Sequence, residues 1–194
     1  VLHAGFTAAN RQVRRLSYRL AVTAPGEDVS LVLTRALHER DPIIRTWAAQ
    51  QAAAVLDQEA LQSAVSMMAH DPSMPVRRMA LQITVEHFPA IAHDMLLSAL
   101  LDTNATIREV ARYYLRRLAP MDFAAFYRDA LDARTGSDIL GAIHGIGETG
   151  TAADAERLLP YATQGSIRIR KAAIAGIARL QQGDQYLSLF MQAL

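Results

Sequence analysis

The amino-acid sequence predicts an all-α protein, an α-α superhelix of about six two-helix repeats of roughly 31 residues. Three observations predict it. Similar segments begin at Val13-Arg14, Ile44-Arg45, Val76-Arg77, Ile107-Arg108, Asp138-Ile139 and Ile169-Arg170, at spacings of 31, 32, 31, 31 and 31 residues. The fourth position after each start is small: Ser17, Ala48, Ala80, Ala111, Ala142 and Ala173. No stretch shows the alternating apolar pattern of a strand.

The second helix of each repeat opens at these starts. Offsets of 0, 3–4 and 7–8 mark one helical face, and a small residue at offset 4 lets neighbouring helices approach closely. Asp41-Pro42 and Asp71-Pro72 read as helix starts, an N-cap acid followed by a proline whose missing N–H costs nothing there. Asp102-Thr103-Asn104, Ser137 and Ser166 serve the same purpose in later repeats. The first helices are expected near 28–39, 58–69, 90–101, 121–133, 151–162 and 184–194, each with its own apolar stripe, such as Leu31, Val32 and Ala36. Residues 1–194 are expected to form a single repeat domain, because each repeat completes its core by stacking on the next.

Asp71-Pro-Ser-Met-Pro-Val76-Arg77-Arg-Met-Ala80 and Asp102-Thr-Asn-Ala-Thr-Ile107-Arg108-Glu-Val-Ala111 resemble the HEAT repeat. The short period, and the ending Ala142-Ile-His-Gly-Ile-Gly-Glu-Thr-Gly150, resemble the phycobilin-lyase-type HEAT-like subclass. The resemblance covers nearly the whole chain and implies a structural ladder along the stack, Asp41, Asp71 and Asp102 pairing with Arg45, Arg77 and Arg108. It implies little about function, because such arrays serve many roles.

Charge is unevenly placed. The six second helices hold 15 of the 20 Lys and Arg residues but four of the 19 acids, Glu86, Glu109, Asp138 and Glu148. In HEAT arrays these helices line the concave side. Their solvent-facing offsets hold Arg15, Arg19, Gln50, Arg78, Gln82, Tyr113, Arg116, Arg117, His144, Lys171 and Arg179. A basic concave face steers acidic partners by raising their local concentration.

Several motifs lead elsewhere and are set aside. Gly145-Ile-Gly147-Glu-Thr-Gly150 has dinucleotide-loop spacing, but a helix precedes it where a strand is required. These glycines are read as a helix end that uses left-handed backbone. His38-Glu39 is a lone pair where a di-iron site of the deoxyhypusine hydroxylase type needs several, and no two histidines are spaced i, i+4. Trp47, Met67, Met68 and Met79 fall at core offsets. With no cysteine in the chain, disulfides, thiolate metal sites and a cysteine nucleophile are excluded. No cofactor, metal or catalytic residue is expected.

The chain has 194 residues, 51% of them apolar, and no apolar run approaches the length of about 18 that a membrane span needs. It opens Val-Leu-His-Ala-Gly-Phe, without a basic leader or a starting methionine, and a fragment of a longer protein or a processed chain is expected. Leu187, Phe190, Met191 and Leu194 form a terminal apolar stripe, expected to meet a further helix or to self-associate. The functional expectation is a cytoplasmic protein-binding scaffold whose partner is acidic. The alternative is a nucleic-acid-binding protein, or a HEAT-like DNA glycosylase, using the same face, with Tyr113 as the stacking group and Glu109 as the carboxylate. A bilin lyase is a further alternative.

Overall fold

The computed structural model describes residues 2–133 and 138–180, and these are all-helical, with no strand among them. Contacts gather into two compact units, residues 1–92 and 93–194.

The first unit runs α1 (Leu2–Gly5), α2 (Arg11–Ala21), α3 (Val29–Leu37), α4 (Pro42–Val55), α5 (Gln58–Met68) and α6 (Met74–His87). The second helices α2, α4 and α6 stand beside one another, α2 against α4 and α4 against α6, with α3 and α5 packed on them. The fourth-position residues Ser17, Ala48 and Ala80 are buried, which lets the backbones close. The short α1 has no counterpart in the sequence reading. It places Phe6 flat on Tyr18, ring centroids 4.3 Å apart, and both rings are buried. Gly26, at φ 79°, turns the chain from α2 towards α3 in a backbone region that favours glycine.

α7 (Pro89–Leu100) leads from one unit into the other in sequence. The second unit then runs α8 (Ala105–Leu118), α9 (Phe123–Ala133), α10 (Ile139–Thr149), a 3₁₀ turn at Ala152–Asp154, α11 (Ala155–Thr163) and α12 (Ile167–Leu180). α10 packs on α9 and α12, and α11 packs on α12. Ala111, Ala142 and Ala173 are fully buried. The helix expected at 184–194, its apolar stripe and the cap at Ser137 lie outside the described residues.

Three local readings are corrected. Asp41 caps α4, its carboxylate accepting from Ile43 N, but Asp71 does not cap α6. Ser73 holds that N-cap position, and Asp71 Oδ1 accepts from Ser73 N in a tight turn just before it. Asp102 likewise accepts from Asn104 N, and Asn104 is the cap of α8. The glycines at 145–150 are not a left-handed helix end: Gly150 has φ −75°, and Gly145 and Gly147 are buried within α10. They serve close packing. A Cβ on Gly145 would fall 2.2 Å from the Tyr127 ring, and one on Gly147 would fall 2.7 Å from Gly176 Cα. Trp47, Met67 and Met79 are half-buried, and of that group only Met68 is in the core.

Candidate functional site

The arginine that opens five of the six second helices, all but α10, has a local duty. Arg14 Nη1 donates to Ala8 O and Ala9 O, at 2.7 and 3.0 Å. Arg45 does the same to Glu39 O and Arg40 O, and Arg77 to Asp71 O and Pro72 O. Arg108 reaches Asp102 O and Arg170 reaches Gly165 O. Carbonyls left over where one element ends are thereby satisfied, an orphan-group problem at every helix terminus.

The free edge of the same guanidinium then reaches an acid. Arg45 Nε and Nη2 donate to Asp71 at 2.7 and 2.9 Å, a bidentate pair that raises the Arg45 pKa. One repeat earlier the register differs from the expected ladder. Arg14 Nε stands 3.6 Å from Glu39, while Arg15 makes the bidentate pair with Asp41 at 2.8 and 3.2 Å. The Arg15 hydrogen bonds hold the Asp41 carboxyl below the usual carboxylate range. Arg15 therefore leaves the solvent-facing set: two acids precede α4, at 39 and 41, and each takes one of two adjacent arginines.

In the first unit, the structure brings Gln50, Arg78 and Gln82 together. With Thr46, Met74, Pro75 and Met79 they line a cleft of about 290 Å³ formed by α4 and α6. Gln50 and Arg78 are exposed and Gln82 is half-buried. None of the three makes a hydrogen bond or ion pair among the described residues. The cleft thus offers two primary amides, each with donors and an acceptor, one guanidinium with five N–H donors, and a soft apolar floor of methionine and proline. Arg19 is exposed on α2, away from these lining residues.

The predicted residues of the second unit are distributed differently. Tyr113 is 51% exposed, with the Arg117 guanidinium 5.4 Å over its ring and Arg117 Nη1 donating to its Oη at 2.5 Å. Arg116 lies over the Phe123 ring at 5.3 Å. Lys171 is exposed and His144 is half-buried. Burial, together with the nearby Arg108 charge, pushes the His144 pKa below its usual value and keeps the ring neutral. A separate cleft of about 390 Å³, walled by Leu131, Ile139, Pro160 and Ile169 with the Arg157–Asp132 ion pair at its lining, contains none of the predicted residues.

One cluster was missed by sequence reasoning. Glu148 receives Arg108 Nε at 3.2 Å, Arg108 Nη2, and Arg112 Nη1 at 2.8 Å. Arg112 Nη1 also donates to Tyr127 Oη at 3.1 Å. Arg108 is 1% exposed, so this is a buried network of two cations on one anion. Burial alone would raise the Glu148 pKa, but Arg108 and Arg112 reverse it and the carboxyl stays ionised. Burial pushes the Tyr127 hydroxyl up, keeping it protonated. A carboxylate held this way is a weak proton acceptor, which makes it a clasp between α8 and α10. Glu109, the carboxylate considered for base excision, is exposed. A signal for the clasp existed. Position 133 is alanine where positions 39, 71 and 102 are acids, so the next acid for Arg108 had to come from elsewhere.

Among the described residues no group of three His, Asp or Glu is placed to hold a metal. His38 Nδ1 donates to Thr34 O, while Glu39 faces Arg14. No helix among the described residues is long and apolar enough to cross a membrane. No protein-family model matches the chain, and no curated protein matches it in sequence.

Proposed function

We propose that this chain is a protein-interaction module, a superhelix of about six HEAT-like repeats whose second helices present the binding face. The repeat reading is supported by the 31–32-residue spacing and by the same arginine-to-carbonyl bonding in both units. The binding reading is carried by the first-unit cleft, where Gln50, Arg78 and Gln82 converge with no hydrogen-bond or ion-pair partner among the described residues. Side-chain amides at successive repeats suit the alternating C=O and N–H groups of an extended peptide, and Arg78 suits a carboxylate on it. The partner is accordingly an acidic segment of another protein.

The test is fluorescence anisotropy with a labelled extended peptide carrying Asp and Glu. Changing Arg78→Glu with Gln82→Ala should weaken binding about 10- to 100-fold, the range for a charge-assisted hydrogen bond of about 1.5–3 kcal/mol. Far-UV circular dichroism should not change, because neither side chain is buried. Equal affinity of the variant would refute the reading. A second reading is favoured by the exposed Tyr113 beside Arg117, a platform for an unpaired base. Nucleic acid as partner predicts binding of a single-stranded oligonucleotide that falls steeply with salt and depends on Tyr113.

A further inference from the structure

The α4–α6 cleft has a definite length, and that length limits how much of a segment it can contact. α4 and α6 pack side by side, and their N-terminal ends meet where Arg45, in the first turn of α4, is bidentate with Asp71 just ahead of α6. The two helices therefore run in the same direction. Thr46 and Gln50 stand one turn apart on α4, and Met74, Arg78 and Gln82 stand one turn apart on α6, so the cleft is a trough along the helix axes. From Met74 to Gln82 it is about 12 Å long, at about 1.5 Å of rise per residue. An extended chain advances about 3.3 Å per residue, so roughly four of its residues lie in the trough. Successive side chains of such a chain point to opposite faces, so about two of the four enter the cleft and the others face solvent.

The two inward side chains meet different chemistry. Arg78 is exposed, no acid lines the cleft, and its guanidinium matches a carboxylate. Met74, Pro75 and Met79 form a floor with no charge and no strong hydrogen-bonding group; Pro75 is exposed, and both methionines are half-buried. A polar side chain laid on that floor would lose water without gaining a hydrogen bond from it. A large aliphatic side chain instead removes two apolar surfaces from water at once. Thioethers adapt to the shape placed on them, so the floor selects for size and apolarity rather than for one residue type. Gln50 and Gln82 are left for the backbone of the segment, since a primary amide both donates and accepts.

We propose that the cleft recognises a two-residue signature in an extended segment of a partner protein: an acidic residue on Arg78 and a large aliphatic residue two positions away on the floor of Met74, Pro75 and Met79. Side chains two apart share a face, and that spacing lets both enter the trough together. The signature rests on the acidic-segment reading of this cleft and adds its second determinant.

The probes are fluorescein-labelled peptides with blocked ends, Ser-Leu-Ser-Glu-Ser and the reversed order Ser-Glu-Ser-Leu-Ser, titrated against the full chain by anisotropy. In the order that binds more tightly, replacing Leu by Ser should weaken binding about tenfold or more, as expected when a leucine side chain is no longer buried. Placing Leu next to Glu should weaken it similarly, because adjacent side chains point to opposite faces. Met74→Gln with Met79→Gln should bring the leucine and serine peptides to within about twofold of each other, the mark of a direct coupling between floor and leucine. Met74→Leu with Met79→Leu should keep the preference, and a thermal melt of each variant shows whether the fold is kept. Equal binding of the leucine-free peptide, or of the peptide with adjacent Leu and Glu, would overturn the signature and leave the acidic-segment reading standing. No binding of any Glu-containing peptide, or binding unaltered by Arg78→Glu, would remove that reading and the signature with it. A native dimer in light scattering that Arg78→Glu converts to monomer would show that a second copy occupies the cleft, and would overturn the proposal as well.

Discussion

The buried clasp gives the sharpest stability prediction. Changing Glu148→Gln keeps the shape and one acceptor oxygen but removes the negative charge between Arg108 and Arg112. The Arg108 and Arg112 side chains are 2% and 10% exposed, so water cannot replace what is lost. Removing one partner of a buried ion pair costs about 3–5 kcal/mol, because the surviving charge is left uncompensated. Glu148 is 14% exposed, which places the cost near the lower end, about 3 kcal/mol. In a chain of this size about 1 kcal/mol moves the melting temperature by roughly 2–4 °C, so a fall of about 6–12 °C is expected. Urea titration followed by circular dichroism gives the free energy directly, at unchanged slope if the unfolded state is unaltered. A partial rescue serves as a control. Arg112→Met in the Glu148→Gln background removes one of the two stranded cations and should restore about 1 kcal/mol, whereas Arg112→Met alone should be destabilising. A loss below about 1 kcal/mol for Glu148→Gln, or no rescue, would refute the account of the clasp as a charge-balanced unit.

Other consequences follow from packing and titration. Ala80→Leu or Ala111→Leu places a large side chain at a fully buried fourth position and should cost about 1–3 kcal/mol in urea titration; near-neutral results at both would break the repeat register. Gly141→Ala brings a Cβ to 2.0 Å from Leu101 O, a backbone atom that cannot swing aside, so the variant should be destabilised despite gaining about 1 kcal/mol of helix propensity. Asp154, held by Arg128 at 2.6 and 3.0 Å and by Thr151 N, has its pKa lowered from 3.8 to about 2. Because the folded value lies below the unfolded one, its contribution is complete above about pH 4 and is lost as pH falls towards about 2. The loss is at most about 2 kcal/mol, reduced by the water that reaches the 28% exposed Arg128 side chain. Asp154→Asn should flatten that acid limb, and an unchanged limb would show that another group carries it.

The parts of the fold that repeat were legible in the sequence, because a repeated physical need leaves a repeated residue. Alanine at the fourth position recurs since two helix backbones close there, and arginine at the second recurs since each preceding segment leaves carbonyls to be bonded. The places where the reading failed are those where one repeat departs from its neighbours. Arg15 looked solvent-facing by its offset, but α4 is preceded by two acids, and the second of them takes it. The glycines of α10 resembled a helix end because their spacing suits a turn, whereas their cause is the Tyr127 ring and Gly176, which lie 15 or more residues away in sequence. Glu148 meets Arg108 at a separation of 40 residues, which no single-repeat pattern encodes.

The candidate surface is the least legible feature for the same physical cause. A buried side chain is specified by its neighbours, so sequence pattern and structure constrain each other. Gln50, Arg78 and Gln82 have no hydrogen-bond or ion-pair partner among the described residues to specify them. The offsets of Gln50, Arg78 and Gln82 say that they face outward, and only the assembled helices show that the three converge on one cleft. What they share is polar chemistry without a complement among the described residues. The unmet groups of the cleft are two amides and one guanidinium, while the acids that precede α4 and α6 are committed, Asp41 to Arg15 and Asp71 to Arg45. Arg78 calls for a carboxylate and the two glutamines for backbone amides, which is the complement that the proposed acidic segment would supply.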